Sequence, residues 1–273
     1  MPLRPRGHNR SNVSICFGMF AYVELNENRT RREKRKTPFL IGQYAVCNRR
    51  PIYRIRTDPE TVRRREREFS CVLRRFGGRV LFPGGMEPEL CANRALSGFE
   101  AYRREVFSLS ADLLLRTARL NKRTRIVLLD CAGNYLTLAQ KLAELTDRAM
   151  IVTAARSAPA YLLKSREIYR DTGAAIPVLI DRIPEKCDIL LAGDRGGSLP
   201  AASLVFSVDA QVGGALSPAR AFPDGIKTPE KIDAMAFSYA LHAFCGAPTE
   251  PAYAFLCEGK ELNRAEAVKL ITI

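Results

Sequence analysis

From Arg125 onward the chain repeats one pattern. Short apolar runs alternate with longer amphipathic stretches. The runs are Arg125–Asp130 (RIVLLD), Ala149–Thr153 (AMIVT), Ile176–Asp181 (IPVLID), Asp188–Ala192 (DILLA) and Leu204–Asp209 (LVFSVD). Each has strand length and little polar alternation, as expected of strands buried on both faces. Tyr135–Leu145 and Pro159–Thr172, the latter closed by Gly173, carry the helical period. Such a sequence predicts right-handed crossovers and a parallel sheet covered on both faces, with the strand that begins at Arg125 in its centre. Beyond it, Gln211–Thr228 reads as a long Gly/Pro/Ala-rich loop, and Pro229–Phe244 as a helix opened by Thr228. Ala252–Cys257 reads as a strand, and Asn263 as the cap of a last helix.

The first 120 residues follow a different grammar. Val13–Val23 is a moderately apolar run, read as a short strand, and residues 24–37 are charged and without period. Pro38–Cys47 and Ile52–Ile55 predict strands. Thr57 and Glu60 fit a capping box, and Pro59 suits a first helical turn. That helix carries the apolar stripe Val62, Phe69, Val72, Leu73 and Phe76, ends at Gly77-Gly78, and returns as a strand at Arg79–Phe82. A Gly/Pro loop, Pro83–Pro88, precedes a long helix, about Phe99–Leu120. Its seam of Phe99, Tyr102, Val106, Leu109 and Leu113 is expected to dock on its own domain or, alternatively, to form a homodimer. The expected organisation is a flexible basic arm over 1–37, a small α+β region over 38–120 and an α/β domain over 121–273.

Composition agrees with an ordinary folded protein and excludes collagen-like, coiled-coil and wholly disordered chains. No window approaches the 18 or so consecutive apolar residues of a membrane span. Charge separates the two parts. Of 43 Lys and Arg, 20 lie in residues 1–80 against 7 acidic residues, whereas 81–273 is nearly balanced. Residues 1–80 are therefore the place to expect a nucleic acid or another acidic partner. Arg4, Arg6 and Arg10 before an apolar run also resemble a signal peptide. Ser14 and Gly18 interrupt that run, however, and no small-residue cleavage site follows before Glu24. Eight cysteines without a CxxC spacing, and only two histidines, argue against a structural zinc site. No metal is expected, and free thiols suit a cytoplasmic location.

Ligands of open parallel sheets bind beyond the carboxyl ends of the strands. Asp130, Asp181, Asp194 and Asp209 lie at or just past such ends. Two glycine-containing turns, Cys131-Ala132-Gly133-Asn134 and Gly193–Ser198, fall on the same rim. Aspartate is common in these turns for local reasons as well, since it caps helices and bends the backbone. Cys131, before a helix, could have a lowered thiol pKa or be a small filler. His242, on an otherwise apolar helix, reads as a structural histidine.

On these residues, 125–210 resembles the nucleotide-binding domain of the shikimate dehydrogenase and glutamyl-tRNA reductase type. Val127–Leu136 lies where that family has an apolar strand and a glycine triplet, and Thr153–Ser157 is similar to its turn gripping the 2′-phosphate of NADP. Pro229–Phe244 is similar to its C-terminal helix. The resemblance implies an α/β fold, Rossmann-like, with a parallel sheet and helices on both faces, preceded by the smaller basic α+β region. It also implies an oxidoreductase binding NADP(H) or another nucleotide through Cys131, Gly133, Asn134, Arg156, Ser157, Gly193 and Asp194. At the three glycine positions this chain has Cys131, Gly133 and Leu136, so only the middle glycine is kept. The family's catalytic Lys and Asp motifs are not found in residues 1–124.

Two other readings stay open. One is a Rossmann-like domain that has lost its ligand and acts as a binding or regulatory protein through its basic arm. The other is a phosphatase similar to the haloacid dehalogenases, with Asp130 as nucleophile and Thr153 and Gly193-Asp194 as its further motifs. A P-loop, a GxSxG elbow and an HExxH helix are absent from the sequence. A methyltransferase reading lacks its glycine-rich turn and the acid closing the second strand, where Arg156 stands.

Overall fold

The computed structural model describes residues 20–26, 30–77, 79–84, 98–118, 120–194, 199–208, 214–222, 226–246 and 252–271. The elements run β1 (Phe20–Leu25), α1 (Arg31–Lys36), β2 (Leu40–Cys47), β3 (Arg50–Thr57), α2 (Pro59–Arg64), α3 (Glu66–Arg75) and β4 (Val80–Leu81). They continue with α4 (Phe99–Thr117), β5 (Ile126–Leu129), α5 (Leu136–Leu145), β6 (Ala149–Thr153), α6 (Ala158–Thr172), β7 (Val178–Ile180), β8 (Lys186–Ala192), β9 (Ala201–Ser207) and β10 (Leu216–Phe222). The last are α7 (Ala234–Ala240), prolonged by a π-helical turn at Leu241–Cys245, then β11 (Ala252–Cys257), β12 (Lys260–Leu262) and α8 (Arg264–Ile271). Two compact units result, one from Met1–Leu96 with Lys227–Ala247, the other from Ser97–Ile226 with Pro248–Ile273.

The first unit holds a four-stranded sheet in the order β2-β3-β1-β4. β1 runs parallel to both neighbours, and β2 and β3 form an antiparallel hairpin. Phe20, Ala21, Tyr22 and Val23 are fully buried, which corrects the expectation of a flexible arm over 1–37 at these positions. A short apolar run outweighs the charge around it once strands pair on both its edges. Residues 1–19 of that arm lie outside the described residues. The expected helix after Thr57 is capped one residue later, by Asp58, whose carboxylate accepts from Thr61 N (2.9 Å) and Thr61 Oγ1 (2.6 Å). It also breaks at Arg65 into α2 and α3. Residues 63–68 are all charged, so no apolar contact holds a continuous helix between Val62 and Phe69.

The helix expected over Pro229–Phe244 is shorter and begins at Asp233, whose side chain accepts from Ala236 N at 2.7 Å. It belongs to this first unit rather than to the α/β domain. There Phe237 meets Phe20 (5.9 Å between ring centroids) and Tyr22 (6.4 Å). His242 is half-buried in the π-helical turn.

The second unit holds an eight-stranded sheet in the order β12-β11-β10-β9-β8-β5-β6-β7. Strands β5 to β9 are mutually parallel, with β5 between β6 and β8 as expected. From β5 the chain steps outward through β6 and β7, then returns to the other side of β5 for β8, β9 and β10. This is the Rossmann-type order, and its switch point lies between β5 and β8. β10 was hidden in the expected loop, because a proline argues against a paired strand. Pro218 is tolerated where the β10–β11 register shifts between Pro218 and Arg220. Asn263 caps α8 as expected, and Glu266 reciprocates.

The two faces of this sheet are buried unequally. Side chains of α4, α5, α6 and α8 all join one core cluster with Ile126, Leu128, Ile151, Ile189 and Leu191. The cluster on the opposite face is made of strand residues such as Val127, Leu129, Val152 and Leu190, and no described helix contributes to it. The return from β7 to β8 takes only residues 181–185, too few for a crossover helix. The seam of α4 also differs. Tyr102 and Val106 are buried, but Leu109 is 41% exposed and Phe107 is fully buried, stacked on Phe206 at 5.0 Å. α4 packs against α5, α8 and β10, so its buried arc is wider than one seam.

Candidate functional site

The switch point is where a ligand of this fold would sit, at the carboxyl ends of β5 and β8. Asp130 follows β5 and has no exposed surface. Its Oδ1 accepts from the amides of Ala132 (3.1 Å) and Gly133 (2.9 Å), and its Oδ2 from the amide of Tyr135 (2.8 Å). The phenol of Tyr161 on α6 also donates to Oδ2. A buried carboxylate is stable only when its oxygens are satisfied in this way. Asp130 also places an anion at the start of α5, where the helix dipole favours one.

Asp194, after β8, approaches the same turn from the other side. Its Oδ2 accepts from the Ala132 amide at 2.9 Å, so two carboxylates share one N–H. Its Oδ1 is buried without a hydrogen-bond partner among the described residues. Burial pushes the Asp194 carboxyl above its ordinary range, and the nearby Asp130 pushes it further. The Tyr135 phenol donates to the Gly193 carbonyl at 3.0 Å, again joining the β5 turn to the β8 turn. The crevice between the two strands is thus bridged by a carboxylate and a phenol.

Of the other expected residues, Gly133, Ser157 and Gly193 serve the same closure. Gly133 has φ +79°, and a Cβ there would lie 3.3 Å from Ser157 Cβ, so local geometry alone accounts for the glycine. Ser157 is buried and its hydroxyl donates to the Cys131 carbonyl at 2.9 Å. Arg156 is exposed, with Nε 3.5 Å from the same carbonyl. Gly193 is buried, and a Cβ there would fall 2.3 Å from Tyr135 Cε2. Burial raises the Cys131 thiol, and Asp194, Asp130 and Asp181 raise it further, so the helix N-terminus does not activate it. Asn134 is exposed and faces elsewhere, lining a 370 Å³ groove with Arg104, Glu105 and Lys141. Asp181 is exposed with φ +52° and donates its amide to the Thr153 carbonyl (2.9 Å). Asp209 and residues 195–198 lie outside the described residues.

The phosphatase reading is corrected by the same geometry. A nucleophilic Asp130 needs a free oxygen facing substrate, but both oxygens are enclosed and hydrogen-bonded. Thr153 turns its hydroxyl back onto the Asp130 carbonyl at 2.7 Å. Among the described residues no cluster of three His, Cys, Asp or Glu could hold a metal ion.

Sequence reasoning missed Tyr135 and Tyr161, which complete the cluster. Tyr161 lies 31 positions from Asp130, and nothing in its local pattern marks a polar partner. A tyrosine on a buried helical face, needing somewhere to place its hydroxyl, was the only available signal.

No family model matches the chain, and no curated protein matches it. Among solved structures it is similar to L-tryptophan dehydrogenase from Nostoc punctiforme, at 15% identity over 93% of this chain and 76% of that one, with a TM-score of 0.32.

Proposed function

We propose that this chain uses a Rossmann-type scaffold as a binding protein, and that it does not hold a dinucleotide on the turn after β5. The observation that carries this reading is the Asp130 carboxylate. It takes the amides of Ala132, Gly133 and Tyr135, which in a dinucleotide-binding turn are the donors available to pyrophosphate. With Asp194 beside it, the turn presents two carboxyl groups where a ligand would bring two negative phosphates. Electrostatic repulsion and the lack of donors act in the same direction. The glycine kept at 133 does not oppose this, since its positive φ and the close approach of Ser157 already favour glycine there.

The test is calorimetric titration with NADPH, NADP+, NADH and NAD+, alongside thermal shift. The expected result is no saturable heat and no shift. A ligand at about 100 times its dissociation constant would add about 2.7 kcal/mol of stability, which thermal shift resolves easily.

A second reading, an NADP(H)-dependent oxidoreductase, draws on Arg156. Its exposed guanidinium stands after β6, where a 2′-phosphate would need a cation. Saturable NADP(H) binding that Arg156→Ala weakens by about 1.5–3 kcal/mol, with NAD(H) unaffected, would establish that reading and remove the first.

A further inference from the structure

We propose that the groove between α1 and α2 in the first unit binds the phosphate backbone of a nucleic acid. The groove has a volume of 440 Å³. Arg31, Lys34 and Arg35 line it from α1, and Arg64 and Arg65 from the end of α2. Among the described residues, the only acid in the lining is Glu60 and the only uncharged residue is Thr61.

The sequence of α1 is RREKRK, and it buries no side chain. A helix that short gains little from its own hydrogen bonds and normally needs an apolar face. Here polar contacts at its ends hold it. Thr30 and Glu33 form a capping box, with Thr30 N donating to Glu33 Oε2 at 2.8 Å. Lys34 reaches the buried Asp58 carboxylate at 3.4 Å. The result is a row of cations set against a second row, although like charges repel in that arrangement.

The compensation is partial. Arg64 pairs with Glu60 (2.7 Å) and Arg65 with Glu68 (3.1 Å). Arg31 and Arg35 form no ion pair with any described residue. An anion entering the groove would meet both and relieve the repulsion between the rows.

The lining selects the class of anion. Four of the five cations are arginines, whose planar forks bind phosphate oxygens two at a time. A protein partner would need an apolar or aromatic anchor at its centre, and a membrane surface an apolar group to insert. The groove offers neither. Its described lining also has no aromatic ring for base stacking, so contact is with the backbone and independent of sequence. This inference does not rest on the closed turn after β5.

Fluorescence anisotropy of the full chain with a labelled single-stranded RNA of about 20 nucleotides tests the proposal. With about four phosphates neutralised, affinity should fall about fiftyfold between about 50 and about 200 mM salt. Arg31→Glu with Arg35→Glu should weaken binding at least about tenfold, and Arg31→Gln with Arg35→Gln by a smaller factor. Since α1 buries no side chain, the melting temperature should stay near that of the parent. Arg166→Glu with Lys269→Glu, exposed cations of the other unit, should leave affinity unchanged. Absence of RNA binding overturns the proposal, as does binding that survives Arg31→Glu/Arg35→Glu or falls equally in the control. Polyglutamate or phosphatidylserine vesicles competing as well as unlabelled RNA would overturn it in favour of an acidic protein or a membrane.

Discussion

The phenol of Tyr161 donates to the Asp130 carboxylate across 31 residues of sequence, and neither side chain has exposed surface. Burial raises the Tyr161 phenol far above its ordinary pKa, and the Asp130 carboxylate raises it further. It therefore remains a donor at neutral pH and well above it. Tyr161→Phe removes one donor from a buried anion and leaves the packing almost unchanged. The expected cost is about 1.5–3 kcal/mol, the range for a hydrogen bond to a charged group. Chemical denaturation of the two proteins measures it. A cost below about 0.5 kcal/mol would mean that Asp130 does not depend on this phenol.

Gly193 gives a steric prediction. A methyl group there would overlap the Tyr135 ring at 2.3 and 2.5 Å and press on the Leu129 carbonyl at 3.2 Å. The ring is buried and its hydroxyl is bonded to Gly193 itself, so it has no simple way to move. Gly193→Ala should therefore destabilise the second unit by about 1–3 kcal/mol, as overpacking does. Denaturant melts should show a lower midpoint with an unchanged slope.

Asp194 gives a prediction in pH. Its folded carboxyl holds a proton to higher pH than a free one, because burial and then Asp130 disfavour its charge. Between its ordinary pKa and the raised one, the folded state binds more protons than the unfolded state. Stability is consequently lost as pH rises through that window, and it is restored below the ordinary carboxylate range. Asp194→Asn keeps an oxygen for the Ala132 amide and removes the charge. Its melting temperature should exceed the parent's at neutral pH, and the difference should vanish below about pH 4. A difference that persists in acid would assign the effect to something other than charge.

Cys131 gives a prediction in reactivity. Its thiol is half-buried and raised by burial and three aspartates, whereas Cys71 on α3 is exposed. Since thiolate is the reactive form, iodoacetamide should label Cys71 well before Cys131 in the native chain. Peptide mass spectrometry over a time course reads the order. Faster labelling of Cys131 would show an activated thiol at the switch point.

Periodicity alone was enough to predict the parallel part of the large sheet. RIVLLD, AMIVT, IPVLID, DILLA and LVFSVD have the length and continuous hydrophobicity of buried strands, and all five pair in parallel around β5. Asn263 was likewise legible as a cap, because capping involves only neighbours in sequence. Elements that depend on distant partners were not legible. β1 lies beside charged stretches and becomes a buried strand only because β3 and β4 flank it. β10 contains Pro218 and is a strand only because β11 accommodates a bulge there. The candidate site shows the same division. The sequence placed Asp130, Gly133, Gly193 and Asp194 on one rim, since strand ends can be read from periodicity, and the family resemblance added Arg156 and Ser157. The direction in which the carboxylates point was decided by tertiary structure. Tyr161 arrives from α6 to bond Asp130, and Asp194 arrives after β8 to accept from the Ala132 amide, so the loop's amides face buried carboxylates. Local sequence encodes where the chain turns, but only packing between distant segments decides which polar groups are left for a ligand.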